Sequence, residues 1–156
     1  MRLLFVCMGN ICRSPAAEGV MKHQLQQAGL KAEVDSAGTI NFHTGKLPDE
    51  RMRRAAARRG IQLTHPARQV RASDLVEFDL VLVMDSENLR NVRRLDPMRV
   101  HHDKIIPFCE FCTGHDETEV PDPYTGGDAD FEHVLDLLED GCAELVRRIK
   151  DGTLSA

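Results

Sequence analysis

No apolar run in this chain approaches the ~20 residues that a membrane span requires, so no transmembrane helix is expected. Nor does the start, Met1-Arg2-Leu3-Leu4-Phe5-Val6, read as a secretory signal: it is too short and turns polar too soon. Cysteines are few and odd in number, five in 156 residues. That excludes a secreted disulfide framework and predicts free thiols in a reducing, cytoplasmic compartment. Basic residues are in deficit: 20 Lys and Arg against 25 Asp and Glu leave a net charge of −5. A general nucleic-acid binder needs a basic field that this balance does not supply. Internal repeats, low-complexity tracts and domain linkers are missing too, so a single domain over residues 1–156 is expected, large enough for a real core.

What is present is an alternation of strand and helix patterns. Arg2 to Val6 reads as a buried strand. Ser14 to Ala28 reads as a helix with Ala17, Val20, Met21, Leu25 and Ala28 on one face and Gly29 closing it. Lys31 to Asp35 is a short second strand, and Asp49 to Arg59 a helix closed by Gly60. Asp79 to Met84 is apolar without alternation, as a parallel strand covered on both faces should be. Ser86 caps a helix that stops near Asp96-Pro97, Lys104 to Ile106 is a fourth strand, and Asp130 to Lys150 is the last helix. In that helix Phe131, Val134, Leu135, Leu138, Cys142, Leu145, Val146 and Ile149 keep helical spacing. The expected fold is α/β: a central four-stranded parallel sheet with helices on both faces. Ligands of such folds bind beyond the carboxyl ends of the strands, where Cys7 and Asp85 stand. Residues 107–128 are too long for a routine connection, which points to a functional loop.

The first strand runs straight into Cys7-Met8-Gly9-Asn10-Ile11-Cys12-Arg13-Ser14-Pro15. Gly9 and Asn10 tolerate left-handed backbone, so the loop amides of residues 8 to 13 can curl into an anion nest. Ser14 and Pro15 suit the N-cap and first helical position, which aims a helix N-terminus at the same spot. A phosphate fits there, and a thiolate at Cys7 would be stabilised there. A buried cysteine closing a strand is also an ordinary core residue, but the flanking Gly-Asn and Arg-Ser-Pro favour the functional reading.

These residues resemble the phosphate-binding loop of the low-molecular-weight protein tyrosine phosphatase family almost letter for letter. Val120-Pro121-Asp122-Pro123-Tyr124 resembles that family's acid-bearing loop. Asp35-Ser36-Ala37-Gly38-Thr39, His65-Pro66-Ala67-Arg68-Gln69 and Val83-Met84-Asp85-Ser86-Glu87-Asn88 match further signatures in the expected order. The resemblance covers essentially the whole chain. It implies hydrolysis of phosphotyrosine monoesters through a phosphocysteine, with no metal and no cofactor. Cys7 is the implied nucleophile. Arg13 offers a planar fork for two phosphoryl oxygens, and Met8, Gly9, Asn10, Ile11, Cys12 and Ser14 complete the phosphate cradle. Ser14 can also donate its hydroxyl to the Cys7 sulfur, and Asn10 holds the loop in shape. Asp122 becomes the general acid and base only through the resemblance; among 25 acidic residues it would otherwise read as a turn aspartate.

Cys12 shares the tight loop with Cys7, where Cβ atoms could approach the ~3.5–4.5 Å of a disulfide. Reversible oxidative inactivation through that pair is expected, against the alternative of a small apolar residue packed under the loop. His65 is expected to order the phosphate loop rather than act as a base. Many family members carry Trp or Tyr where this chain, which has no tryptophan, holds Phe42; an aromatic wall opposite Tyr124 remains. Cys109-Glu110-Phe111-Cys112 with His115 has the look of a metal hook, but no second ligand pair has clear spacing, so loop thiols are favoured. Cys142 reads as core, and His101-His102-Asp103 as a solvated turn. Arg51, Arg53, Arg54, Arg58 and Arg59 crowd one helix, read as a solvated face in preference to a docking surface for acidic partners.

Three rival readings stand beside this one. Related protein-arginine phosphatases typically carry Thr where this chain has Ile11. Related arsenate reductases need two further cysteines near the third strand, and residues 79–100 contain none. A phosphate-binding module would need neither a nucleophile nor an acid. The expected partner is a phosphotyrosine-bearing protein or peptide, with no nucleic acid and no membrane, and the chain is expected as a monomer or weak homodimer.

Overall fold

In the computed structural model, which describes residues 1–154, β1 (Arg2–Cys7) sits at the centre of the molecule. It pairs in parallel with β2 (Glu33–Gly38) on one side and β3 (Leu80–Val83) on the other, and β4 (Ile105–Pro107) extends the sheet beyond β3. The strand order is β2-β1-β3-β4. Every residue from Leu3 to Val6 is fully buried, because both faces of the sheet are covered.

Alternate residues divide the core in two. Leu3, Phe5, Leu80 and Leu82 face α1 (Arg13–Ala28) and α5 (Asp128–Asp151). Leu4, Val6, Val81 and Val83 face the side covered by α3 (Ala72–Glu77) and α4 (Ser86–Arg93). This is the expected arrangement of helices on both faces. Cys142 packs in the first core, as its place on the apolar stripe of α5 predicts. The rings of Phe5 and Phe108 meet there with centroids 6.0 Å apart. Val146 and Ile149 only border this core.

Several local expectations change. α1 begins at Arg13, with Cys12 at its cap position and no side-chain cap bond, so Ser14 is not the cap. Ala28 lies exposed beside the left-handed Gly29 (φ 68) that ends the helix. β2 starts at Glu33 and reaches Gly38, because pairing along the full length of β1 sets Cys7 opposite Gly38. α2 spans Glu50–Ala57 with Asp49 outside it as cap, accepting the Arg51 N–H at 2.8 Å. α4 is capped by Asp85, not Ser86. α3 was not anticipated: six residues carry too little periodicity to read. The segment from 107 to 128 is partly ordered, since Phe108–Phe111 forms a 3-10 turn whose phenyl rings enter the core.

Most arginines in and just after α2 are engaged, although Arg54 is exposed. Arg59 bridges Glu132, Asp136 and Glu139 of α5, and Arg58 lies 3.9 Å from Glu132. Arg51 holds Asp49, and Arg53 donates to the Pro48 carbonyl. The solvated face therefore holds in part, at the exposed Arg54 and Arg58, while Arg59 just past the helix clamps it onto α5. No described helix is long and apolar enough to cross a membrane.

Candidate active site

Cys7 ends β1 at the carboxyl edge of the sheet, 2% exposed. The chain then turns through Asn10, which has a left-handed backbone (φ 55) and is buried. A buried asparagine tolerates that conformation when its side chain is fully used. Here the Asn10 amide donates to Ser14 Oγ at 2.8 Å and Ser36 Oγ at 3.0 Å, and its carbonyl accepts the Arg68 N–H at 3.0 Å. Its own N–H points at Cys7 Sγ, 3.3 Å away.

Ser14 Oγ lies 3.0 Å from Cys7 Sγ. Because Asn10 already donates to that oxygen, the hydroxyl proton is left for the Cys7 sulfur or for the Ala37 carbonyl at 3.3 Å. The missing cap on α1 also matters: the first N–H groups of a helix have no internal partner and can face an anion.

β2 braces the loop from outside. Thr39 N–H donates to the Cys7 carbonyl at 2.9 Å and Ile40 N–H to the Met8 carbonyl at 3.1 Å. A Cβ on Gly38 would sit 2.7 Å from the Met8 carbonyl oxygen and 3.0 Å from Asn10 N, so only glycine permits this approach.

Arg13 is 3% exposed and aimed by two fixed acceptors. Its Nη1 donates to Asp85 Oδ2 at 2.7 Å and to the Val120 carbonyl at 3.0 Å. Burial alone would lower its basicity, but Cys7, Asp85 and Asp122 outweigh burial and hold the guanidinium more firmly charged than usual. Arg13 Nη2 lies 3.7 Å from Asp122 Oδ2. Asp122 is half-exposed, and its other oxygen accepts the Tyr124 N–H at 3.1 Å. Arg51 secures the same loop, donating to the Tyr124 carbonyl at 2.8 Å with its guanidinium 5.5 Å from the Tyr124 ring centroid.

Cys7, Met8, Gly9, Ile11, Cys12 and Arg13 line one pocket with Asp122, Tyr124 and His43. Phe42 is not part of its wall. It stands 74% exposed, edge-on to His43 with centroids 4.9 Å apart, while His43 faces Tyr124 at 6.5 Å and 25°. The ring opposite Tyr124 is therefore His43, with Phe42 behind it. Cys12 is buried in the pocket floor. Burial, with Asp49, Cys7 and Asp122 adding to it, pushes its thiol well above the ordinary range.

His65 does not touch the phosphate loop. Its Nε2 lies 3.1 Å from Asp35 and its Nδ1 3.8 Å from Glu18. The link to the loop is indirect: Ser36 Oγ donates to buried Glu18 at 2.6 Å and receives the Asn10 amide. Glu18, Asp35 and His65 are the one set of three metal-type ligands that converges among the described residues. Lys22 and Arg68 already pair with the two carboxylates, which fits a hydrogen-bonded brace better than a metal centre.

The Cys112 N–H donates to the Cys109 carbonyl at 3.1 Å, and its thiol to the Leu137 carbonyl at 3.5 Å. Among the described residues no third ligand atom joins the two cysteines within 4.8 Å, and His115 is bound to Asp140 at 2.7 Å. The metal-hook pattern is not assembled. His102 is half-buried beside Asp96, so the histidine turn is less solvated than its sequence suggests.

Sequence reasoning missed His43, Arg51 and the role of Asp85 in holding Arg13. Only Asp85 carried a signal, its place at a strand's carboxyl end.

The family model for low molecular weight phosphotyrosine protein phosphatase matches residues 2–154. A relative from Synechocystis sp. is 51% identical over 148 residues, spanning 94% of each chain. The low molecular weight phosphotyrosine protein phosphatase of Schizosaccharomyces pombe is 41% identical over 151 residues, covering 95% of this chain and 96% of that one. A crystal structure of a protein tyrosine phosphatase from Entamoeba histolytica, with Hepes in its active site, superposes with a TM-score of 0.94 at 45% identity over 99% of both chains.

Proposed function

Since the chain belongs to the low molecular weight phosphotyrosine protein phosphatase family, a family of phosphoric monoester hydrolases, we propose that it hydrolyses phosphotyrosine on proteins through a phosphocysteine at Cys7. The observation that carries this reading is the convergence of Cys7, Arg13 and Asp122 on one pocket.

The Cys7 thiolate attacks phosphorus in line, and the P–O bond to the phenol breaks. Asp122 delivers its proton to the departing oxygen. The loop amides and Arg13 hold the equatorial oxygens, where charge builds in the transition state. In the second half, Asp122 takes a proton from water as it attacks phosphorus. Cys7 leaves as a thiolate, eased by the Ser14 hydroxyl 3.0 Å away.

The walls support an aryl substrate. His43 and Tyr124 present ring faces across the opening, and the apolar Ile11 lines the pocket rather than a hydroxyl residue. That favours phosphotyrosine over phosphoarginine. The chemistry depends on a free thiol at Cys7, which supports a reducing cytoplasmic setting.

The test is phosphate release from a phosphotyrosine peptide in excess EDTA, with Cys7→Ser and Asp122→Asn alongside. The expected result is turnover by wild type, none by Cys7→Ser, and a loss of about 10²–10⁴-fold in Asp122→Asn. Turnover of phosphoarginine but not phosphotyrosine would overturn the substrate assignment.

A further inference from the structure

Four arginines near the C-terminal end of α4 have no acidic partner among the described residues. Arg90, Arg93, Arg94 and Arg99 are all exposed, and with His102 they line one surface groove. Arg94 reaches only the neutral Asn91 side chain. Around α2 the arginines are less uniformly free: Arg51, Arg58 and Arg59 are engaged by carboxylates, whereas Arg53 and Arg54 are not. The chain as a whole carries a net charge of −5, so this concentration of unpaired cations runs against its overall charge.

Arginines in a last helical turn favour the helix dipole, which accounts for Arg90 and Arg93. It does not account for Arg94 or Arg99, which lie past the helix. Arg99 is held in left-handed backbone (φ 58), a conformation that non-glycine residues rarely adopt. Asp96 builds that turn: its carbonyl accepts the Arg99 N–H at 3.0 Å, and its carboxylate accepts the N–H groups of Val100 and His101 at 3.0 and 2.8 Å. Asp96 is the one carboxylate lining the groove, and it is buried and committed to backbone. Beside the arginines, Met98 and Val100 stand 82% and 71% exposed. Cationic forks flanked by uncovered apolar side chains suit a segment that alternates carboxylates with apolar residues.

We propose that this groove docks an acidic segment of the protein substrate, away from the phosphorylated residue. That the occupant belongs to a substrate rests on the phosphatase reading of Cys7; the acidic-segment chemistry does not. The net negative charge disfavours the extended polyanions, nucleic acid and anionic lipid, because they feel the field of the whole molecule. A short acidic segment samples only the local patch, within a Debye length of ~10 Å at 0.1 M salt. The reach is adequate. α4 starts at the Asp85 cap, which touches Arg13, and its eight residues span ~12 Å. A few extended residues, at ~3.4 Å each, bridge that distance.

The test has two arms. In the first, a fluorescein-labelled, unphosphorylated Glu-Glu-Leu-Glu-Asp-Leu-Glu peptide is titrated into wild type, into Arg93→Glu/Arg94→Glu and into Arg99→Ala, with anisotropy as readout. Saturable, salt-sensitive binding by wild type is expected, about tenfold weaker in the double variant. Absent binding, or equal binding by the variants, overturns the groove. So does tighter, arginine-dependent binding of single-stranded RNA or phosphatidylserine vesicles. In the second arm the same segment is joined to phosphotyrosine. KM should rise about tenfold in the double variant with kcat unchanged. Turnover of p-nitrophenyl phosphate should match wild type. An equal KM overturns the substrate as occupant. If wild type hydrolyses neither compound, the phosphatase reading falls, and the anisotropy arm still decides the groove.

Discussion

Asp85 serves Arg13 and α4 with the same carboxylate. One oxygen accepts the Asn88 N–H at 2.8 Å and caps the helix; the other holds Arg13 Nη1 at 2.7 Å. The guanidinium that lines the Cys7 pocket is thereby fixed to a helix terminus rather than to a loop. This arrangement separates two effects by substitution. Asp85→Asn keeps an oxygen for the cap but turns an amide donor towards Arg13. Its kcat/KM for an aryl phosphate should fall on the order of a hundredfold, through mispositioning of Arg13. Asp85→Ala should lose the same activity and, relative to Asp85→Asn, a further ~1 kcal/mol of stability with the cap. Steady-state kinetics with urea unfolding measure both. Wild-type kinetics in Asp85→Asn would show that Arg13 needs no such anchor.

Gly38 lets β2 approach the backbone of residues 8–10 closely. A methyl group there would meet the Met8 carbonyl oxygen at 2.7 Å and Asn10 N at 3.0 Å, both backbone atoms that cannot swing aside. Gly38→Ala should cost about 1–3 kcal/mol by overpacking. The strain falls on residues 8–10, so activity should drop beyond what the lost stability explains. Full activity at temperatures well below unfolding would refute the coupling between this contact and the loop.

The large features were legible because their signals were local. The run Leu3 to Val6 is apolar at every position, which only a doubly covered strand requires, and the loop from Cys7 to Arg13 is contiguous in sequence. Errors arose where structure depends on distant partners. Ser14 looks like a cap and a partner of Cys7; it is only the second, because Asn10 holds its hydroxyl beside the sulfur. His43 and Phe42 are adjacent, and spacing could not say which ring the fold turns into the pocket. Arg51 reads as one arginine among many on α2, and only the packing of α2 near residues 124–126 shows it holding Tyr124. Ala72–Glu77 is too short to display a period.

Cys12 is buried in the loop that begins at Cys7. Burial and the nearby Asp49 keep it a thiol, so it is a poor first target for an oxidant and attacks an oxidised neighbour only after losing its proton. Peroxide is expected to oxidise Cys7 to a sulfenic acid, being itself reduced to water. Cys12, once deprotonated, should then attack that sulfur, with loss of a second water, to leave a Cys7–Cys12 disulfide. Wild type inactivated by peroxide should regain activity with dithiothreitol, and Cys12→Ser should progress to irreversible loss. Equal recovery in both would remove Cys12 from the protection pathway.

His115 and Asp140 should give stability a defined pH window. His115 Nδ1 lies 2.7 Å from Asp140 Oδ2. The bond to Asp140 raises the imidazole's pKa, with Glu117 acting in the same direction. Burial alone would raise the Asp140 carboxyl, but His115 and the Thr113 and Gly114 N–H groups outweigh it and hold it low. A raised histidine contributes fully below its unfolded value of ~6.5 and loses that contribution as pH climbs through the folded value. A lowered aspartate contributes fully above its unfolded value of ~4 and loses it as pH falls through the folded one. The stability difference between wild type and His115→Gln should therefore be widest between about pH 4.5 and 6, and narrow on either side. Glu117 also pairs with His133, whose ring centroid lies 6.3 Å from that of His115, so the double variant His115→Gln/His133→Gln separates the two pairs. Urea unfolding across pH measures the profile. A difference that is flat from pH 4 to 8 would mean that the pair contributes nothing through its charge.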